Sequence, residues 1–211
     1  MNTTENIASV STKVGAWCIF ISSDYVFDGT HGPYASNAEC KPINKYGNLY
    51  RQAELIFWKN QTDGGILRVP TTYLFGNVTD LKETNVTKIA SIVFNNKVQV
   101  ELDDNRIEHP TYTDDVAIVC RGLAERKMEH CGLYGTWHWS GNSPLTAYQI
   151  ALRIANLYKV SHDHIKINNN TTQLPKNTEL NCIALTVMGL GKQTPIDDAL
   201  SSVIAPFVPT L

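Results

Sequence analysis

Three features of the 211-residue sequence predict an α/β fold. Short, wholly apolar runs such as Trp17–Ile21 have the character of parallel strands buried on both faces. Longer stretches between them carry apolar residues at helical spacing. Turn segments rich in glycine, proline and asparagine separate the two kinds, as alternating strand and helix units require.

The elements follow in order along the chain. Residues 4–13 suit one or two polar helical turns, and Trp17–Ile21 reads as the first strand, with Ser22-Ser23-Asp24-Tyr25 at its carboxyl end. Asp28–Pro33 is a loop by its glycine and proline content. A helix is expected after Pro42-Ile43-Asn44 and up to Asn60, with Leu49, Ala53, Ile56 and Phe57 facing inward. Gly65–Val69 is a second strand, followed by a helix around 84–94 and a strand at Val98–Leu102. Thr113-Asp114-Asp115 reads as the cap of a helix that buries Val116, Val119, Cys120 and Leu123. Gly135–Trp139 alternates as a strand, Thr146 opens a helix through Ile150, Ile154 and Leu157, and Pro195 starts the last helix. Composition shifts little along the chain, so the expectation is a single domain over residues 1–211.

Composition excludes several functions. Hydrophobic residues make up 43% of the chain and charged residues 18%, which rules out a disordered or fibrous protein. Eighteen basic side chains against 20 acidic ones leave no excess for nucleic-acid binding. The longest apolar run, around Val14–Ile21, falls far short of the ~20 residues that span a bilayer. Met1–Val10 lacks a basic segment followed by an apolar one, so a cytoplasmic location is expected. Five cysteines without C-x-x-C spacing read as free thiols in a reducing compartment.

The residues that suggest chemistry are Ser23, at the end of a buried strand, and Tyr46, at the start of the following helix. In hydride-transfer sites of the short-chain dehydrogenase type, a serine and a tyrosine phenol together hold a substrate carbonyl oxygen. A lysine one helical turn after the tyrosine lowers its pKa from the usual value of about 10. Here that position is Tyr50, a neutral phenol. No glycine-rich turn of the G-x-G-x-x-G type is present, and Gly189-Leu190-Gly191 reads as a helix end followed by a turn. The plainer reading of Ser23 and Tyr46 is a satisfied strand-end hydroxyl and a packed aromatic. Arg68 suits a carboxylate partner better than a phosphate, and Tyr25, Phe27, Trp137 and Trp139 suit the core. His162 and His164 lack a third ligand at a usual metal spacing, so no metal is expected.

The strings Ile21-Ser22-Ser23-Asp24-Tyr25-Val26-Phe27-Asp28-Gly29 and Pro42-Ile43-Asn44-Lys45-Tyr46-Gly47 resemble the dTDP-4-dehydrorhamnose reductase family of extended short-chain dehydrogenases. A narrower likeness rests on Val119–Glu125, Gly135–Asn142 and Gly189–Pro195. It points to a branch of the family that serves as regulatory subunits of methionine adenosyltransferase. The resemblance implies the C-terminal portion of a Rossmann-type NAD(P)-binding fold with a small α+β lobe, the family's first strands lying outside this sequence. About residues 1–95 would be the residual Rossmann half, and about 96–211 would be mixed with the lobe. An apolar first strand with a free edge then predicts low solubility or pairing with another chain.

By the same resemblance Ser23 and Tyr46 match family active-site positions, Tyr50 stands at the lysine position, and Tyr46 and Leu74 match cofactor-lining positions. The segment Pro70–Gly76 around Leu74 is longer than the family pattern. NADP is the cofactor of the full-length family, and none is expected for this chain. The implied partner is the catalytic α subunit of methionine adenosyltransferase, through which S-adenosylmethionine synthesis would be modulated. The alternatives are an NADP-dependent reductase of a nucleotide-sugar ketone and an inactive truncated isoform. The chain ends at Pro206–Leu211 without the basic, aromatic tail that such subunits use against their partner.

Overall fold

The computed structural model describes residues 2–170 and 173–208, so the last three residues of the expected tail-less end lie outside them. The elements are α1 (Asn2–Lys13), β1 (Ile19–Ser23), α2 (Lys45–Asn60), β2 (Gly65–Val69), β3 (Leu74–Phe75), α3 (Asn85–Phe94), β4 (Val100–Asp103) and β5 (Thr111–Tyr112), then α4 (Thr113–Glu129), β6 (Gly135–His138), α5 (Ala147–Tyr158), β7 (Ile165–Asn168), α6 (Ile183–Val187) and α7 (Ile196–Ile204). They form two compact units interleaved in sequence. One comprises Met1–Thr71, Val116–Ser140 and Gln173–Lys192; the other comprises Thr72–Asp115, Gly141–Thr172 and Gln193–Leu211.

The first unit is built on a parallel sheet in the order β1-β2-β6. Its register sets Ile19 opposite Gly65, Ser23 opposite Val69 and Leu67 opposite Trp137. Strand β2 is buried at every residue, as a central parallel strand should be. β1 begins two residues later than the apolar run predicts, because the ladder starts where Gly65 comes out of its turn, and it carries the pairing through Ser22 and Ser23. Among the described residues β1 pairs with β2 alone. An open apolar hollow of about 300 Å³ lies against it, lined in part by Ile7, Ile19, Phe20, Ile21 and Phe57.

Helix α2 corrects the expected inward stripe. Leu49 is 49% exposed, while Gly47, Glu54 and Phe57 are buried. The helix is rotated because a charge, and not a leucine, is what it brings to the sheet. Glu54 Oε1 accepts hydrogen bonds from Arg68 Nε and from Ser22 Oγ, both at 2.7 Å. Its Oε2 accepts from Arg68 Nη2 at 2.9 Å and from Arg51 Nη1 at 3.2 Å. Arg68 therefore finds the carboxylate expected for it. Burial raises the Glu54 carboxyl, but the bonds and charge of Arg68, with help from Ser22 and Arg51, outweigh this and hold it below its ordinary range. Arg68 Nη1 also reaches Ser36 O at 3.1 Å and His138 Nε2 at 3.2 Å. The other imidazole nitrogen of His138 lies 3.0 Å from Tyr34 O, so Nδ1 carries the proton and Nε2 accepts from Arg68. Burial, and then the Arg68 charge, push His138 down to about 4.

The second unit packs α3, α5 and α7 around Phe75, Val86, Ile89, Ile150, Ile154, Leu200 and Ile204, beside two short parallel pairs, β3-β5 and β4-β7. Thr146 caps α5 as expected, in a reciprocal box with Gln149. Asp115, expected in the cap of α4, lies in its first turn, where its carboxylate accepts from Thr194 N at 2.9 Å and Thr194 Oγ1 at 2.7 Å. No helix among the described residues is long and apolar enough to cross a membrane.

Replacing Glu54 by Ala strands the Arg68 guanidinium in the interior. The expected loss is about 3–5 kcal/mol of unfolding free energy, read from urea denaturation. Two buried groups also set opposing pH dependences. His138 is neutral in the fold and takes up its proton on unfolding, so its contribution is full above pH 6.5 and is lost as the pH falls towards 4. Asp24, pushed up to about 6 mainly by burial, contributes fully below pH 3.8, and that contribution is lost as the pH rises through 6. Asp24→Asn is therefore expected to make stability rise more steeply with pH between about 4 and 6, and His138→Gln to make it rise less steeply or fall. Urea midpoints across this range check both signs.

Candidate functional site

The carboxyl end of β1 and the first turn of α2 bring Ser23 and Tyr46 together in the first unit. Ser23 ends β1 fully buried and caps the 3-10 turn Asp24–Val26, its Oγ accepting from Tyr25 N at 3.2 Å. Tyr46 lies in the first turn of α2, whose start is fixed by Asn44 Oδ1 accepting from Gly47 N at 2.8 Å. Gly47 lets the helix come this close to the strand end: a Cβ there would stand 1.9 Å from Tyr25 O. The Tyr46 ring packs edge-on to Tyr25, with centroids 5.8 Å apart, and remains 39% exposed.

The two hydroxyls meet on a third residue, Thr71. Tyr46 donates to Thr71 Oγ1 at 3.0 Å, and Ser23 Oγ lies 2.6 Å from the same oxygen. Ser23 Oγ in turn donates to Asp24 Oδ1 at 3.2 Å, which leaves Thr71 as donor to Ser23. The result is a single directed chain from Tyr46 through Thr71 and Ser23 to Asp24. Asp24 is buried and is also bonded by Thr178 Oγ1. Burial pushes its carboxyl up to about 6, against the lowering effect of Thr178 and Ser23. Thr71 escapes a reading of sequence motifs; the one signal for it is the extra length of the Pro70–Gly76 segment.

Tyr50 stands one turn after Tyr46, with ring centroids 5.0 Å apart. Burial, and then the Tyr46 phenol, push Tyr50 up to about 12, so it is neutral at physiological pH. It gives Tyr46 an aromatic neighbour and no positive charge. Leu74 lies in the other unit, half-buried at the start of β3 and paired with Thr111. Gly189 has φ +75° just after α6, and α7 starts only at Ile196, so Gly189-Leu190-Gly191 closes a helix and does not open one onto a phosphate. The residues described here thus do not by themselves fit an NADP. No cluster of His, Cys, Asp or Glu among the described residues is arranged to hold a metal ion.

Comparison with known proteins agrees with this architecture. The family model for the RmlD substrate binding domain matches residues 1–208. Methionine adenosyltransferase 2 subunit beta of Mus musculus is 36% identical over 208 residues, covering 96% of this chain and 61% of that protein. The subunit of the same name from Xenopus laevis is 37% identical over 209 residues, covering 97% of this chain and 62% of that protein. The chain thus spans about three-fifths of the length of these relatives. The crystal structure of dTDP-4-dehydrorhamnose reductase from Bacillus anthracis in complex with NADP matches with a TM-score of 0.79 and 22% identity, covering 96% of this chain and 70% of that one. These matches place the chain in the RmlD substrate binding domain family, with the Rossmann-type α/β fold of the dTDP-4-dehydrorhamnose reductases.

Proposed function

We propose that this chain is a non-catalytic regulatory subunit of a methionine adenosyltransferase, binding the catalytic α subunit and so modulating S-adenosylmethionine synthesis in the cytoplasm. The observation that carries this reading is the identity of 36% over 96% of the chain with proteins named as the beta subunit. The site geometry supports it. A phenol serves as acid towards a carbonyl when a nearby cation stabilises its anion, and Tyr46 has Tyr50 at that place. Its proton is already directed to Thr71.

A second reading, an NADP-dependent reductase of the dTDP-4-dehydrorhamnose type, is favoured by one observation: Ser23 and Tyr46 converge on one point. Against it stands Tyr50, a neutral phenol one turn after Tyr46.

Co-purification with the catalytic subunit separates the two readings. The first expects a stable complex and a changed rate of S-adenosylmethionine formation; a chain that elutes alone and leaves the rate unchanged removes it. The second expects NADPH to stabilise the chain. A ligand at a hundred times its dissociation constant adds about 2.7 kcal/mol, visible as a raised melting midpoint, and no shift removes the reductase reading.

A further inference from the structure

The position of Thr71 carries an inference about the Ser23–Tyr46 pair that goes beyond the partner proposed above. A carbonyl oxygen held by a serine and a tyrosine must lie within hydrogen-bond distance of both hydroxyls, and it accepts from each. One oxygen satisfies that distance condition here, and it belongs to the protein: Thr71 Oγ1, 2.6 Å from Ser23 Oγ and 3.0 Å from Tyr46 Oη. We infer that Thr71 is a built-in occupant of the carbonyl-oxygen position, which shuts ketones and aldehydes out of this site from within the chain.

Three features support the assignment. Ser23 is fully buried with its hydroxyl on Thr71 Oγ1, while Tyr46 is 39% exposed, so the pair is open to solvent only on the tyrosine side. Every hydroxyl of the chain from Tyr46 to Asp24 has a partner, so an incoming carbonyl would have to take the Tyr46 donor from Thr71 and the Ser23 donor from Asp24. Thr71 also follows Pro70 at the end of β2, whose ladder with β1 fixes Val69 opposite Ser23. Thr71 opens the 3-10 turn Thr71–Tyr73 just beyond Pro70, where its hydroxyl meets Ser23. The inference rests on taking Ser23 and Tyr46 as the family's carbonyl-holding pair, and it is independent of whether the chain binds a methionine adenosyltransferase.

Binding of a small ketone to the full chain tests it, with cyclohexanone as the probe and saturation-transfer NMR as the readout. The unsubstituted chain is expected to show no saturable contact at Tyr46. Thr71→Ala should bind at least about tenfold more tightly, the size of one regained hydrogen bond. Adding Ser23→Ala to Thr71→Ala should abolish the gain, and Thr71→Ser, which restores the oxygen, should behave like the unsubstituted chain. A folded Thr71→Ala protein that binds no better, or a Thr71→Ser protein that binds as well as Thr71→Ala, overturns the inference. Should Thr71→Ala fail to fold, the unsubstituted chain decides: a cyclohexanone-dependent shift of the Tyr46 ring resonances shows the position to be open, and its absence at saturating probe supports closure. Co-purification with the catalytic subunit, run on the same Thr71→Ser and unsubstituted proteins, reports separately on the partner.

Discussion

The buried pair of Glu54 and Arg68 is the contact on which the arrangement of the first unit depends. One carboxylate from α2 receives bonds from β1 through Ser22 and from β2 through Arg68, and Arg68 passes the connection to β6 through His138. Two charges withdrawn from water are tolerable only because nearly every lone pair and N–H at this point is used. The rotation of α2 follows from it. With Glu54 turned inward, the face that carries Leu49 is left to solvent, and the first turn of the helix lies over the end of β1.

That placement also brings Ser23 and Tyr46 to one point at the end of β1. Ser23 and Tyr46 are held by the same contacts that hold α2 against the sheet, so they stay together whatever occupies the next turn. Tyr50 takes the lysine place as an aromatic packing residue, and Thr71 turns the two hydroxyls toward the protein. Tyr50 supplies no positive charge to the Tyr46 phenol beside it.

Much of this was legible in the residues. The alternation of apolar runs and helical stripes marks α2 to α5, α7 and all three strands of the parallel sheet, a strand-end arginine calls for a carboxylate, and only α1, read as one or two polar turns over 4–13, is longer than expected. What escaped was of two kinds. Long-range electrostatics turned α2, because helical periodicity scores Leu49 as inward and Glu54 as outward and has no knowledge of Arg68 fourteen residues on. Long-range hydrogen bonding hid Thr71 and Asp115: Thr71 meets Ser23 across 48 residues and Asp115 meets Thr194 across 79, distances at which spacing carries no information. Strands β3 and β5, of two residues each, are too short for alternation to register.

Gly47 places one further constraint on this region. Because the carbonyl of Tyr25 fills the space a methyl group would need, the approach of α2 to the strand end is set by the lack of a single carbon atom. Larger residues there would lever the helix outward and stretch the hydroxyl relay at Tyr46 first, before disturbing the charged centre two turns deeper. Sequence drift at this one glycine would therefore be felt as a loosening of the tyrosine long before it threatened the fold.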